Sequence, residues 1–372
     1  MGLHLIPYDL NINFTGMRKM CYILSSVVIA LCLGVLLLGG GLKYGIDFAG
    51  GSIAQVKFER SVDAEVLKAA LDGLGQSGFV VQRFGDDDGL SYLIRVSDSE
   101  VTSSELRASL LKMLGEKLAD NPVDLQRLES VGPKVGADLR AKAVEALYFA
   151  TLFIAIYISG RFEQRWFVSA AMAGALAGSM YLLEFVGVPK SLVVVAATSI
   201  MVILCWRLKL IYALGAVVSM LHDVLVTVGL FALMGKEFDL IIIAALLTII
   251  GYSLNDTIIV YDRIRENLQA RKSGKLSDLI NKSINQTLSR TILTSVTTLF
   301  VVTSLMLFGG GIIHDFALVM FIGIIVGTYS SIFVASPMLL IFGDTVIAQA
   351  EAAKAEREEA AKRERSRARA LT

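Results

Sequence analysis

Asp256 and Arg290 carry the first chemical argument this sequence offers. Asp256 lies within an apolar run, in the stretch Gly251–Asn267 (GYSLNDTIIVYDRIREN), upstream of the charges that close it. Arg290 opens the next apolar run, Thr291 to Phe308. An ionised carboxylate in hydrocarbon is costly and therefore rare without a partner or a task. Suppose one helix enters near Leu240 and the next leaves near Phe308. At about 1.5 Å per residue, Asp256 is then roughly 24 Å and Arg290 roughly 27 Å from the same membrane face. Adjacent antiparallel helices would place acid and base at one depth, which predicts a pair. Burial favours the neutral acid and a guanidinium the ionised one, so a carboxylate balanced between them can change protonation as helices move. Such a group can couple a proton gradient to motion. A purely structural ion pair pinning two helices is the alternative.

His222-Asp223 is the second constellation, in the middle of an expected helix over 210–233. Asp223 lies roughly 15 to 20 Å from either helix end. A polar helix–helix contact competes with a functional carboxylate here. A catalytic His–Asp pair is disfavoured, because neighbours on a helix diverge by about 100° and no nucleophile is placed near them. Gly45-Ile-Asp47-Phe-Ala-Gly50-Gly51 reads as a structural turn; it has no Walker lysine and no helix following it. Gly309-Gly-Gly311 with His314-Asp315 reads as a flexible polar loop. The three cysteines sit in or beside apolar runs and the three histidines are scattered. No disulfide, metal or cofactor pattern follows, and no enzymatic site.

The elements that must hold these residues are membrane helices. The chain has 372 residues, is 55% hydrophobic and has a mean hydropathy of +0.64, too apolar for an ordinary soluble protein. A net charge of +1 says little about partners. Arg18 and Lys19 precede the first apolar run, Met20 to Leu38, read as a retained helix with its amino terminus in the cytoplasm. Further helices are expected at 139–160, 166–187, 191–206, 210–233, 240–261, 291–308 and 317–341, making about eight in all. Arg161, Arg165, Arg207, Lys209 and the run from Arg263 to Arg290 fall in loops assigned to the cytoplasm, whereas the outside loops hold only Lys190 and Lys236. The hairpin of 166–206 is short in its second member and could be re-entrant.

Residues 42–136 differ: polar, and the size of a small domain. Strands are expected at Ser52–Phe58, Phe79–Phe84, Leu90–Val96 and Val123–Leu128, helices at Asp63–Leu74 and Ser103–Leu118, and an acidic turn at Asp86-Asp87-Asp88-Gly89. The order β-α-β-β-α-β indicates a ferredoxin-like α+β domain outside the cytoplasm. The organisation is thus a cytoplasmic N-terminus (1–19), a first helix (20–41), the outside domain (42–136), a helical bundle (137–343) and a charged tail (344–372). The end of that tail is basic, but the segment reads as a solvated helix or coil.

Several motifs in order, taken together, resemble the SecF family, the smaller membrane subunits of the SecD–SecF pair that assists the bacterial Sec protein-export channel. They are Gly45–Gly51, Val131-Gly-Pro-Lys-Val-Gly136, His222-Asp223, Gly251-Tyr-Ser-Leu-Asn255-Asp256, Asp262-Arg-Ile-Arg-Glu-Asn267 and Thr287-Leu-Ser-Arg290. The resemblance implies a resistance-nodulation-division-like six-helix half with one periplasmic ferredoxin-like domain. It implies a multi-pass protein of the bacterial inner membrane with both termini cytoplasmic. It also implies a non-enzymatic subunit that uses the proton-motive force to help polypeptide leave the channel. The implied partners are a SecD-like subunit, the channel proteins SecY, SecE and SecG, YajC and the translocating polypeptide, with no nucleic acid. Asp256 and Arg290 match the family positions implicated in proton coupling, and Asp223 matches a polar position of an upstream helix. Gly45, Asp47, Gly50, Gly51, His222 and Asn255 fall on motif positions. One departure stands out. In the family pattern Arg161-Phe-Glu163 is followed within a few residues by the His-Asp helix, whereas here 164–206 intervene as an inserted hairpin. Two alternatives of other classes stay open: a stand-alone small-molecule exporter of the resistance-nodulation-division type, and a structural scaffold of a translocase complex.

Overall fold

A computed structural model describes residues 11–71, 79–83, 89–96, 103–270 and 274–351. The turn at Asp86–Asp88, the end of the helix expected to reach Leu74, Phe84, the first ten residues and most of the charged tail lie outside the described residues. Helix α1 (Phe14–Leu38) starts at Asn13, whose side chain accepts from the Gly16 N–H. Asn281 and Asn285 of a distant helix accept the N–H groups of Phe14 and Ile12, fixing where α1 enters.

Strand β1 (Lys43–Tyr44) and the short helix α2 (Ile46–Ala49) lead into the α+β domain, the outside domain in the sense that it stands outside the helical bundle. That domain comprises β2 (Gly51–Phe58), α3 (Ala64–Leu71), β3 (Phe79–Arg83), β4 (Ser91–Val96), α4 (Ser103–Lys117) and β5 (Val123–Val131). The sheet order is β3-β4-β2-β5, with every neighbour antiparallel. This is the ferredoxin-like arrangement that the element order predicts. Alternation sends Ala54, Val56, Phe58, Tyr92 and Ile94 inward against Leu67, Leu71, Leu106, Leu110 and Leu114. Ile53, Gln55, Leu93 and Arg95 stand on the opposite face, toward the membrane bundle.

The bundle begins with α5 (Pro133–Ile158), ending in a π-turn at Ser159–Glu163. The hairpin α6 (Trp166–Phe185) and α7 (Lys190–Arg207) packs on α5 through Met172, Leu176, Met180, Val193, Ala197 and Met201. Lys190 ties its tip to Glu184 and to Glu145 of α5. Next come α8 (Ile211–Leu233), β6 (Glu237–Phe238), α9 (Leu240–Ala270), α10 (Leu276–Phe308) and α11 (Gly310–Ser330). A π-turn over Ser331–Ala335 then leads into the short α12 (Ser336–Met338). Among the described residues seven helices are long and apolar enough to cross a membrane, with 192–207 a shorter apolar eighth.

Three expectations need correction. The helix expected at 291–308 starts at Leu276, and the one expected to stop near 261 runs to Ala270. Leu276, Ile280 and Ile284 pack with Ile264 and Leu268, so these charged extensions are amphipathic and stay helical past the apolar runs. The Gly309–Gly311 segment is not a loose loop, because α11 begins at Gly310 and Asp315 binds Lys236 at 2.6 Å. A further feature met no expectation at all: β1 pairs with β6 in parallel (Lys43↔Glu237, Tyr44↔Phe238), a non-local contact with no signature in either dipeptide.

Candidate functional site: two buried carboxylates and a helix shared with the outside domain

Helices α8, α9 and α11 meet around Asp223. Gly323 and Gly327 make the meeting close: a Cβ on Gly323 would come within 2.2 Å of Ile249, and one on Gly327 within 2.8 Å of the Ser253 Cβ. With the backbones so near, three elements put polar groups on one carboxylate. Ser253 of α9 donates to Asp223 Oδ2 at 2.5 Å and Ser330 of α11 donates to the same oxygen at 2.8 Å. His222 Nδ1 lies 3.0 Å from Oδ1. Asp223 is only 1% exposed.

His222 extends the network toward α1. Its Nε2 is 3.2 Å from the Ser25 hydroxyl, which is 3.0 Å from the Tyr329 hydroxyl, and Tyr329 donates to the Cys21 carbonyl at 3.0 Å. The Tyr329 ring stacks on the imidazole at 5.9 Å between centroids. The sequence pointed to His222 and Asp223 but not to Ser25, Ser253, Ser330 or Tyr329. Hydroxyl-bearing residues in apolar helices are common, and only the crossings select these four.

A count of hydrogens shows what this chain can do. Four contacts run from the Cys21 carbonyl through Tyr329, Ser25 and His222 to Asp223. Phenol, hydroxyl and neutral imidazole supply one hydrogen each, and an ionised carboxylate supplies none. With Asp223 ionised, the four contacts share three hydrogens, one fewer than the contacts.

Asp256 is also 1% exposed but is held differently. Ser295 of α10 approaches its Oδ2 at 3.4 Å, and Ser295 in turn is 2.7 Å from Thr328 of α11. The expected Asp256–Arg290 ion pair is not made among the described residues. Arg290 is exposed on α10, although its charge is within electrostatic reach of Asp256. The depth estimate was sound but the direction was not. The buried side of α10 carries Thr287, Thr291 and Ser295 at four-residue spacing, and Arg290, one position before Thr291, is turned about 100° from it. Asn255, a motif position, is exposed beside Asp256 on α9.

The outer end of α9 is fixed to the outside domain. The Gly45 N–H donates to the Phe238 carbonyl at 2.8 Å, and Asp47 Oδ2 accepts from the Leu240 N–H at 3.1 Å. Asp239 caps α9 by accepting from the Ile242 N–H at 2.9 Å. Arg95 of β4 forms an ion pair with Glu237. Gly50 has φ +81°, and a Cβ there would meet Pro133 at 2.9 Å, so the Gly50-Gly51 turn lies flush under the start of α5. The glycine-rich stretch is thus the joint between domain and bundle. Burial, helped by the charges of Asp47 and Asp315, holds the Asp239 carboxyl above the usual carboxylate range. Among the described residues no cluster of metal-ligating side chains occurs.

Comparison with known proteins fits this architecture. Residues 112–178 and 184–345 match the family of the protein export membrane proteins SecD/SecF, C-terminal, and residues 35–62 match the SecD/SecF GG motif. The protein translocase subunit SecF of Calditerrivibrio nitroreducens is 39% identical over 342 residues, 91% of this chain and 96% of that one. The chain belongs to the SecF family. SecF of Vibrio alginolyticus is 35% identical over 339 residues, covering 91% of this chain and 92% of the relative. The crystal structure of SecDF from Thermus thermophilus, a translocon-associated membrane protein, aligns at 30% identity with a TM-score of 0.65 over 92% of this chain. The alignment spans 40% of the SecDF chain, so this SecF-family chain corresponds to less than half of that molecule.

Proposed function

We propose that this chain is an accessory subunit of the Sec protein-export machinery that converts proton movement into motion of its outside domain. The observation that carries the reading is the buried hydrogen-bond network around Asp223 of α8, short of one hydrogen and tied by Ser253 to the helix that also bears Asp256 and ends at the outside domain. Proton arrival at His222–Asp223 changes the hydrogen bonding of α1, α8, α9 and α11 at one point. Asp256, with a single long contact, is free to exchange partners as α9 moves. Arg290 stands ready as the counter-charge, facing outward where a second half-transporter would pack. A SecD-like subunit fills that role, because one bundle with one outside domain is half of a pseudo-symmetric transporter. The channel proteins SecY, SecE and SecG, YajC and the emerging polypeptide are the remaining partners. In this reading the chain sits in the bacterial inner membrane with both termini cytoplasmic and the ferredoxin-like domain periplasmic, and it performs no covalent chemistry.

The test is the release rate of a secretory protein at the outer membrane face, with the proton gradient present and then collapsed. The wild-type complex is expected to be faster only with the gradient, and Asp256→Asn and Asp223→Asn to show the collapsed rate in both conditions. Gradient-dependent release by both variants would remove the proton role.

A further inference from the structure

At the end of the bundle far from the outside domain, the π-turn after α5 and the start of α6 leave an open cavity of about 550 Å³, lined by Tyr157, Gly160, Arg161, Gln164, Trp166 and Arg265. It is built rather than incidental. The Trp166 indole lies so close on Gly160 that a Cβ there would meet the ring at 2.1 Å. Gln164 turns the chain in a left-handed conformation, φ +57°. Arg265 donates to the Arg161 carbonyl at 2.8 Å, and both guanidinium groups lie against the Phe162 ring, 5.5 and 5.7 Å from its centre.

Charge and depth say what fits there. Arg161 is paired with Asp262, whereas Arg265 has no carboxylate partner among the described residues, so the wall keeps a net positive charge. Arg265 lies twenty-five positions along α9 from Leu240, roughly 37 Å at 1.5 Å per residue, against a hydrocarbon core about 30 Å thick. The cavity is therefore at headgroup level. Above it, Phe153 (64% exposed) and Tyr157 (42% exposed) precede Arg161 at four-residue spacing, and Phe167 is 86% exposed. An apolar track thus descends the outer surface of α5 into a cationic cavity rimmed by two aromatic residues. That sequence of surfaces has the shape of a lipid: chains along Phe153 and Tyr157, a phosphate between guanidinium groups suited to bind it through paired N–H donors.

We propose that this cavity is a binding site for the headgroup of an anionic phospholipid, with Arg265 and Arg161 holding the phosphate and Trp166 and Tyr157 flanking it. Two of its residues, Gln164 and Trp166, begin the α6–α7 hairpin, so lipid binding gives that hairpin a role in anchoring the bundle. The proposal does not depend on the proton reading.

Trp166 is the natural reporter, since the chain holds only two tryptophans. The full-length chain carrying Trp206→Phe would be placed in phosphatidylcholine bilayers containing a minor share of brominated phosphatidylglycerol or, separately, brominated phosphatidylcholine, and Trp166 quenching compared. The expected preference for phosphatidylglycerol is about fivefold with Arg265 present and close to none in Arg265→Gln, which leaves the Arg161–Asp262 pair in place. Native mass spectrometry of detergent-purified wild type and Arg265→Gln gives a second readout, with retained phosphatidylglycerol expected on the former only. Equal quenching by the two lipids, or a preference unchanged in Arg265→Gln, would overturn the proposal. So would a preference abolished by millimolar glycerophosphate or an acidic peptide, since the occupant would then be soluble.

Discussion

Asp223 and Asp256 are both carboxylates, both buried to 1% exposure, and linked through one helix, since Ser253 and Asp256 are three residues apart on α9. Their surroundings differ sharply. Asp223 has hydroxyl donors on both sides of one oxygen and an imidazole on the other. Asp256 has one hydroxyl at 3.4 Å. The first arrangement fixes three helices to one another through a carboxylate with several partners. The second leaves a carboxylate that can move to a new partner at little cost. A device that turns protonation into movement, as proposed above, would need both kinds of group.

The sharpest way to break that comparison is Asp256→Asn. It should eliminate the gradient-dependent part of release while leaving thermal unfolding within about 0.5 kcal/mol of wild type, because an amide fills the same space. Asp223→Ala should instead destabilise the chain by about 3 kcal/mol, since Ser253, Ser330 and His222 lose their common acceptor. Equal unfolding midpoints for Asp223→Ala and Asp256→Asn would erase the distinction. Ser295→Ala removes only the long contact and should cost about 0.5 kcal/mol, measured by denaturant titration in detergent.

The smallest effect concerns Asp239, at the outer mouth. Because burial raises its folded-state pKa above the ordinary value, the folded chain holds this proton more tightly than the unfolded one. Its contribution to stability is therefore present at acid pH and is lost as pH rises through the raised value. Thermal unfolding followed from about pH 4 to about pH 7 should show this loss, and Asp239→Asn should flatten it while keeping the helix cap. A wild-type profile that gains stability over that range and keeps its slope in Asp239→Asn would contradict the assignment.

The sequence made the local elements legible and left the crossings hidden. Alternation placed all four strands of the outside domain, and apolar length placed the membrane helices, because both signals are carried within one segment. Asp223 and Asp256 announced themselves as charges where charges are expensive. Their partners did not. Whether Arg290 or Ser295 meets Asp256 depends on the rotation of α10, and a 100° difference is invisible to a depth estimate. Ser25 and Tyr329 meet His222 across about two hundred and one hundred residues of chain, which no spacing rule connects. The parallel pairing of Lys43–Tyr44 with Glu237–Phe238 rests on backbone groups alone, so the side chains gave no sign of it.

That small ladder has a mechanical consequence. Asp256 lies sixteen positions from Leu240 on an unbroken helix, about 24 Å of rigid rod, and the rod's outer end is clasped by Asp47, Gly45 and β1 without an intervening linker. A linkage with no slack transmits short strokes as faithfully as long ones. A shift of α9 by a single residue rise, about 1.5 Å, would reach the base of the ferredoxin-like domain undiminished, and the breadth of that domain would turn it into a wider sweep at the far edge.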